Sequence, residues 1–189
     1  MRRDKTDFQP RLLCGIDVAY DRDVAYVAAV VWDAHTRAVA YTRSSVEDVP
    51  MDYVPGFLGF REGPLLAGIA TELEIVPDVF LIDGHGLAHP RRFGVACHMG
   101  LAIDRPTIGV AKSLLYGRIH KGKILAGEDN TVGRTLTTAR ERKYYVSIGH
   151  RISLPTAYRI VRRSIVDGFS APLRVAHLNS ISLKRESLK

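Results

Sequence analysis

Three acidic residues stand where the sequence could do chemistry with a divalent cation. Asp17 lies inside the short apolar run LLCGIDVA, and Asp83 directly follows the apolar run DVFLI. An ionised carboxylate in an apolar strand is costly unless it is paired or binds a metal. The end of a buried strand is also the usual place for a site in an α/β sheet. Hard oxygen ligands without a thiolate favour Mg²⁺ or Mn²⁺, and Glu62 is a candidate third ligand or base.

Two of these carboxylates also have a ready structural explanation. Asp83 could form the turn before Gly84, and Glu62 could complement the dipole at the start of a helix. Asp17 is the hardest to explain in this way, because it stands at the centre of an apolar strand.

Basic side chains are the next candidates. Lys112 follows another short buried run, where a lysine can meet a phosphate or a developing negative charge, although it could equally be a solvated loop residue. The sequence GVAK lacks the glycines of a P-loop. His85, His89 and His98 are separated by three and eight residues and lack a cysteine or carboxylate to complete a zinc set, so zinc is not favoured. Nothing near His177 in the sequence explains that histidine.

The elements that must position these side chains follow from the spacing of apolar residues. We predict an antiparallel meander of three strands over 12–19, 24–32 and 37–46. Two buried strands are predicted over 78–82 and 106–110, and one later strand over 143–148. Helices are predicted over about 63–74, 93–103 and 155–166. Residues 116–142 suggest a hairpin, and 171–189 a basic tail that could be helical. The order predicts one α/β domain with a mixed central sheet and flanking helices, with 1–11 and about 181–189 as flexible tails.

One segment fits neither the helical nor the strand spacing of apolar residues. MDYVPGFLGFREGP, residues 51–64, holds three aromatic residues, two prolines and three glycines. A strand does not tolerate the prolines and a helix does not favour the glycines. The composition therefore predicts a loop with an unusual amount of apolar surface.

Bulk composition narrows the class of protein. The chain has 189 residues, 46% hydrophobic and 25% charged, which is typical of one soluble globular domain. Its net charge of +7 favours a polyanionic partner such as nucleic acid, although a solvated basic surface would give the same value. We expect no membrane span and no signal peptide. Cys14 and Cys97 suit reduced core thiols in a cytoplasmic protein.

Short motifs along residues 13 to about 180 form a specific combination. They are GIDV at 15–18, YVPGFL at 53–58, FREGP at 60–64, DGHGLAHPR at 83–91, PTIGVAKS at 106–113, GH at 149–150 and RVAH at 174–177. In this order the motifs resemble endonuclease V, a deoxyinosine-directed repair nuclease family. The resemblance implies a ribonuclease H-like fold. It also implies Mg²⁺-dependent hydrolysis of the second phosphodiester bond 3′ to hypoxanthine, leaving 3′-hydroxyl and 5′-phosphate ends, with Mn²⁺ as a substitute metal.

The resemblance also implies roles for individual residues. Asp17, Glu62 and Asp83 would form the acidic metal-binding cluster, with Lys112 at the scissile phosphate and His177 as a further active-site histidine. The resemblance implies a wedge that enters the DNA, formed by Tyr53, Val54 and Pro55. It also implies that two basic side chains, His89 and Lys112, contact DNA. The pocket for the extruded base would be walled by backbone near four residues, Gly56, Leu58, Gly84 and Gly109.

Two features depart from the family pattern. Asp52 stands where the Pro-Tyr-Ile-Pro wedge has its first proline, and it brings a negative charge close to DNA. The region 118–144 is also short. Two alternatives stay open: a ribonuclease that cuts RNA at inosine, and a non-catalytic binder of deaminated nucleic acid, which the acidic trio argues against. The number of metal ions is open, and a monomer is expected.

Overall fold

The computed structural model describes residues 8–49, 51, 52, 54, 57–128 and 130–189. Tyr53, Pro55 and Gly56, which the resemblance assigns to the wedge and the base pocket, lie outside the described residues. The elements, in chain order, are β1 (Leu12–Asp21), β2 (Val24–Asp33), β3 (Ala38–Asp48), α1 (Leu58–Thr71), β4 (Val79–Ile82), α2 (Val95–Ile103), β5 (Thr107–Ala111), β6 (Arg118–His120), β7 (Lys123–Ala126), β8 (Asn130–Thr137), β9 (Lys143–His150), α3 (Leu154–Arg163), β10 (Ile165–Val166), β11 (Phe169–Ser170) and α4 (Ala171–Ser187).

In the described part of the chain, nine strands form the central sheet, in the order β3-β2-β1-β4-β5-β9-β8-β7-β6. β1 pairs antiparallel with β2 and parallel with β4, and β4 pairs parallel with β5. The connections between the parallel strands run through α1 and α2, because parallel neighbours need a long crossover. All four residues of β4 are buried, as expected of a central strand with an unbroken apolar run. The predicted mixed sheet with an antiparallel meander is confirmed.

Helices cover the sheet on both faces because successive strand residues point in opposite directions. Cys14 belongs to one apolar cluster with Leu66 of α1. Its neighbour Leu13 belongs to a second cluster with Ile160 of α3 and Leu173 of α4. Burying a leucine or isoleucine side chain of this kind contributes about 1.5–3 kcal/mol. The two clusters hold β1 and β4 at the centre of the molecule, so side chains at the ends of these strands have fixed positions.

Helix α1 begins earlier than the sequence predicts and includes part of the segment predicted as a loop. A Cβ on Gly59 would lie 2.2 Å from His98 Cδ2, and one on Gly63 would lie 3.3 Å from His98 Cβ. These glycines therefore let α1 pack closely on α2, and that tertiary contact outweighs their low helix propensity. Pro64 lies inside the helix at an exposed position. Because α1 begins at Leu58, Glu62 lies one turn inside the helix rather than at its start.

The C-terminal part differs most from the predicted elements. Residues 116–142, predicted as a hairpin, form β6, β7 and β8, which extend the sheet beyond β9. The helix predicted over 155–166 ends at Arg163 and is followed by the short β10–β11 hairpin. Within the stretch 171–189, Ala171–Ser187 form α4, the helical alternative, and α4 packs across β1 and β2. Within the described ranges, no helix is long and apolar enough to cross a membrane.

Candidate active site

The three acidic residues singled out from the sequence line one pocket of about 200 Å³. Ile16 of β1 is the parallel register partner of Ile82 of β4, so Asp17 and Asp83 each come one residue after a paired position. Glu62 reaches the same pocket from α1. The strand pairing therefore brings Asp17 and Asp83 together, and the close packing of α1 adds the third carboxylate.

Two side chains of helix α4 contact the carboxylate of Asp17. Ser180 Oγ donates a 2.7 Å hydrogen bond to Asp17 Oδ2, and His177 Nδ1 lies 3.2 Å from the same oxygen. Burial raises the pKa of Asp17, the hydrogen bond from Ser180 opposes that rise, and the nearby charge of Asp83 adds to it. The carboxylate is therefore oriented by two α4 side chains in a setting that penalises its negative charge.

Glu62 is the carboxylate whose protonation is most strongly perturbed. Burial raises the pKa of Glu62 to about 7, and the charges of Asp17 and Asp83 act in the same direction. Tyr20 donates a 3.1 Å hydrogen bond to Glu62 Oε1, which partly offsets the rise. Burial raises the pKa of Tyr20 as well, so this phenol stays a donor. Near neutral pH Glu62 can therefore both hold and release a proton.

Asp83 forms an ion pair with Lys112. Lys112 directly follows β5, which pairs in parallel with β4 through Gly109 and Ile82 and runs two residues further. The lysine side chain is 61% exposed, whereas that of Asp83 is 24% exposed. The ammonium group therefore lies at the mouth of the acidic pocket, where an incoming anion can reach it.

The donor set suits a divalent cation. Three carboxylates supply the oxygen ligands that Mg²⁺ prefers. Asp83 raises the pKa of Asp17, and both raise that of Glu62, so a cation in the pocket would relieve their mutual repulsion. Among the residues that the structure describes, no three histidine, cysteine, aspartate or glutamate side chains are already grouped to hold a metal ion. The negative charge of Asp83 is instead balanced by its ion pair with Lys112.

A family model described as Endonuclease V matches residues 1–178 of the chain. The chain belongs to the endonuclease V family. The endonuclease V of Desulfurococcus amylolyticus is 38% identical over 169 residues, which cover 87% of this chain and 77% of that protein. The endonuclease V of Thermofilum pendens is 37% identical over 198 residues, which cover 100% of this chain and 84% of that protein. Such relatives indicate a nuclease.

Solved endonuclease V structures share the fold. The catalytic domain of human endonuclease V matches with a TM-score of 0.90 at 30% identity and covers 100% of this chain and 91% of that chain. Ciona intestinalis endonuclease V, in complex with a 24mer DNA containing an inosine followed by a ribo-adenosine, matches with a TM-score of 0.87 at 26% identity and covers 100% and 92%. The mixed sheet with flanking helices is thus the predicted ribonuclease H-like fold.

The glycines assigned to the endonuclease V base pocket permit close backbone packing. A Cβ on Gly109 would lie 2.7 Å from the carbonyl oxygen of Gly84, so β5 and the loop after β4 touch through their backbones. A Cβ on Gly84 would lie 2.6 Å from Val95 Cγ1. Leu58 is half-buried as the first residue of α1. Their contact with a base stays a prediction.

Two of the residues assigned to DNA contacts, Val54 and His89, lie before α1 and in the loop after β4. Val54 is 43% exposed, as a wedge residue must be. The backbone N–H of Phe57 donates to the carbonyl oxygen of Val54 at 2.9 Å. Arg61 Nη1 donates to the carbonyl oxygen of Met51 at 2.8 Å, so Met51 is tied to α1. His89 is buried, and burial lowers its pKa. A DNA contact by His89 stays a prediction.

Two residues that hold the carboxylates were not identified from the sequence. Ser180 is 163 positions from Asp17, and Tyr20 is 42 positions from Glu62. Ser180 follows His177 by three residues in α4, and helical spacing puts such a pair on one side of a helix. Strand alternation puts Tyr20 on the α1 face of β1. The helical spacing of Ser180 and the strand alternation of Tyr20 were the features of the sequence from which these two residues could have been identified.

Proposed function

We propose that the chain is a metal-dependent endonuclease that recognises hypoxanthine in DNA. It hydrolyses the second phosphodiester bond 3′ to the lesion and leaves 3′-hydroxyl and 5′-phosphate ends. The observation that carries this proposal is the convergence of Asp17, Glu62 and Asp83 on one pocket, with Lys112 paired to Asp83 and His177 in contact with Asp17. Membership of the endonuclease V family supports the same assignment.

The acidic pocket is the place for the cofactor. Asp17 and Asp83, together with Glu62, would hold Mg²⁺, which when bound supplies Lewis-acid activation of water and stabilisation of charge on the phosphate. Mn²⁺ would substitute, because it takes the same oxygen ligands.

The protein's own side chains have separable tasks in the hydrolysis. A water oxygen forms a new bond to phosphorus, the bond from phosphorus to O3′ breaks, and O3′ takes up a proton from solvent water to leave as the 3′-hydroxyl. With the cation held mainly by Asp17 and Asp83, Glu62 lies in the same pocket and can accept the proton that the water loses. The ammonium group of Lys112 can bind a non-bridging phosphate oxygen and stabilise its charge. His177 and Ser180 keep Asp17 oriented.

RNA is the second candidate substrate. The Ciona intestinalis protein was solved with DNA in which a ribo-adenosine follows the inosine. A ribonucleotide at that step brings a 2′-hydroxyl close to the bond proposed to be cut, and that hydroxyl is what distinguishes RNA from DNA. Cleavage of RNA at inosine is therefore the alternative activity to test. A monomeric state stays a prediction.

The test is a strand-scission assay on matched substrates. A 5′-labelled duplex with one deoxyinosine is incubated with Mg²⁺, with Mn²⁺ and with a chelator, beside the same duplex with deoxyguanosine and an RNA strand with inosine. We expect one nick at the second bond 3′ to deoxyinosine, only with metal. Asp83→Asn should abolish the nick, while Asp48→Asn, an exposed carboxylate on β3, should leave it unchanged.

Three other outcomes are informative. Cleavage of the RNA alone would replace DNA with RNA as the substrate. Preferential binding of the deoxyinosine duplex without scission would indicate a non-catalytic binder. Folded protein that neither nicks nor prefers the lesion with either metal would contradict the proposed function.

A further inference from the structure

A second pocket, of about 360 Å³, lies next to the acidic pocket and has the opposite charge. Its charged lining consists of Lys112, Arg142, Lys143 and Arg174, with His177 beside them. None of the described residues that line it is acidic. Because Lys112 pairs with Asp83 and His177 contacts Asp17, the basic pocket begins where the catalytic carboxylates end.

Phe169 fixes the position of two of these cations. The guanidinium carbon of Arg142 lies 3.9 Å from the ring centroid of Phe169, and that of Arg174 lies 4.5 Å from the same centroid. Stacking on a ring restrains a guanidinium group while leaving its N–H donors available. Within the described residues, no carboxylate pairs with either arginine. Two neighbouring positive charges without a protein counter-ion favour an anion in this pocket.

The start of α4 adds to the positive potential. Ser170, Leu173 and Arg174 line the pocket, and α4 begins at Ala171. The first turn contains no acidic residue, and the hydroxyl of Ser170 forms no capping bond but lies 3.0 Å from that of Ser164. The amino end of a helix carries partial positive charge. The first two residues of α4 offer no N–H to a ligand, because Ala171 N donates to Ser164 O and Pro172 has no N–H, so the contribution here is that of the helix dipole.

We propose that this basic pocket seats a backbone phosphate of the nucleic-acid strand next to the scissile phosphate. The inference rests on the proposed function, because Lys112 is the residue that joins the two sites. An acidic pocket repels a polyanion, and a neighbouring cationic seat offsets that repulsion and holds the strand in one register. A phosphate contact of this kind fixes position without reading sequence. The seat therefore serves lesion-containing and lesion-free strands equally.

The decisive variant is Arg142→Gln/Arg174→Gln, which removes two charges and retains long side chains. Its matched control is Arg162→Gln/Arg163→Gln, which removes the same two charges from exposed positions at the end of α3, outside the pocket lining. Affinity is measured by fluorescence anisotropy in a chelator, as a function of salt, for a deoxyinosine duplex and its deoxyguanosine twin.

We expect the pocket variant to bind both duplexes more weakly by the same factor. The slope of log affinity against log salt should become shallower by about 1, as expected for one lost phosphate contact. The control should match the wild type. A scan with single methylphosphonate linkages should then reveal one position that weakens the wild type but not the pocket variant. A thermal melt checks folding, and the single Arg174→Gln change repeats the test if the double variant is unstable.

The outcomes separate this inference from the proposed function. If the wild type nicks deoxyinosine DNA but the pocket variant binds like the control, the phosphate seat is wrong and the nuclease assignment stands. If the pocket variant loses affinity for both duplexes but the wild type never nicks, the seat stands and the nuclease assignment is wrong. Unchanged sensitivity of the pocket variant to every methylphosphonate would also overturn the seat.

Discussion

Ser180 Oγ donates a 2.7 Å hydrogen bond to Asp17 Oδ2, which joins a fully buried hydroxyl of α4 to a carboxylate at the centre of the sheet. This bond lowers the pKa of Asp17 against the rise that burial causes. Helix α4 thus takes part in positioning a metal-binding candidate that lies on a strand formed at the other end of the chain.

Ser180→Ala should lower cleavage by about 10–100-fold, the usual effect of removing a group that supports a metal ligand. Without the hydroxyl, Asp17 holds its proton to higher pH, so the acidic limb of the pH–rate profile should move upward. The measurement is kcat/KM against pH. Ser182→Ala, on an exposed position of the same helix, is the control. Wild-type rates and an unchanged profile for Ser180→Ala would show that the bond is dispensable.

Glu62→Gln should make the metal-free protein more stable at neutral and higher pH. Because burial raises the pKa of Glu62 from 4.5 to about 7, the folded state retains a proton that the unfolded state has lost within this window. The wild-type free energy of unfolding therefore falls as pH rises through it, by up to about 3 kcal/mol. Glutamine carries no such charge.

Urea denaturation in a chelator at several pH values measures this effect. Below about pH 4.5, where both states hold the proton, Glu62→Gln and wild type should agree. Glu47→Gln, on an exposed position of β3, should follow the wild type throughout. Equal stability of Glu62→Gln and wild type at pH 8 would mean that Glu62 is ionised freely in the pocket.

Lys112→Met should reduce the single-turnover cleavage rate by about 10²–10³-fold, the range found when a donor to developing negative charge is removed. The stability of the variant should change by less than about 1 kcal/mol, because the Lys112 side chain is 61% exposed. Rapid-quench assays and thermal melts measure the two quantities. Lys121→Met, at an exposed turn, is the control, and a large stability loss without a rate loss would assign Lys112 a structural role instead.

Gly59→Ala should destabilise the fold by about 1–3 kcal/mol, the usual cost of forcing extra volume into a packed site. The added Cβ would lie 2.2 Å from His98 Cδ2, and the His98 ring is confined between Phe60 and Phe93, whose centroids lie 4.7 and 4.4 Å away. Gly68→Ala on the same helix meets nothing within 4 Å, so it should stabilise by about 0.5–1 kcal/mol. Denaturant midpoints that rise for both would show that α1 and α2 can separate cheaply.

The sequence predicted the central strands well because their burial leaves a direct trace. A continuous apolar run such as that of β4 has one simple explanation, and a carboxylate inside or after such a run stands out, as Asp17 and Asp83 do. The parallel pairing of β1 with β4 places these two residues in one pocket.

The sequence predicted less well wherever distant residues decide the structure. The glycines of α1 read as loop residues because their partner, His98, lies on another helix. β6 is exposed, β7 has four residues, and β8 has two buried apolar side chains, Val132 and Leu136, so their apolar pattern is weak. The bonds from Ser180 and Tyr20 depend on packing between elements that no local pattern reveals. Nothing in the structure explains Asp52.

The early start of α1 has a mechanical consequence. Arg61 holds the carbonyl of Met51 at the beginning of the loop, and its neighbour Glu62 faces the acidic pocket. Arg61 and Glu62 are consecutive residues of α1, so the tie to Met51 and the pocket carboxylate belong to the same turn of one helix. We therefore expect a displacement of the backbone at Met51 to shift Glu62 as well, while the close contact of the α1 glycines with His98 limits how far the helix can move.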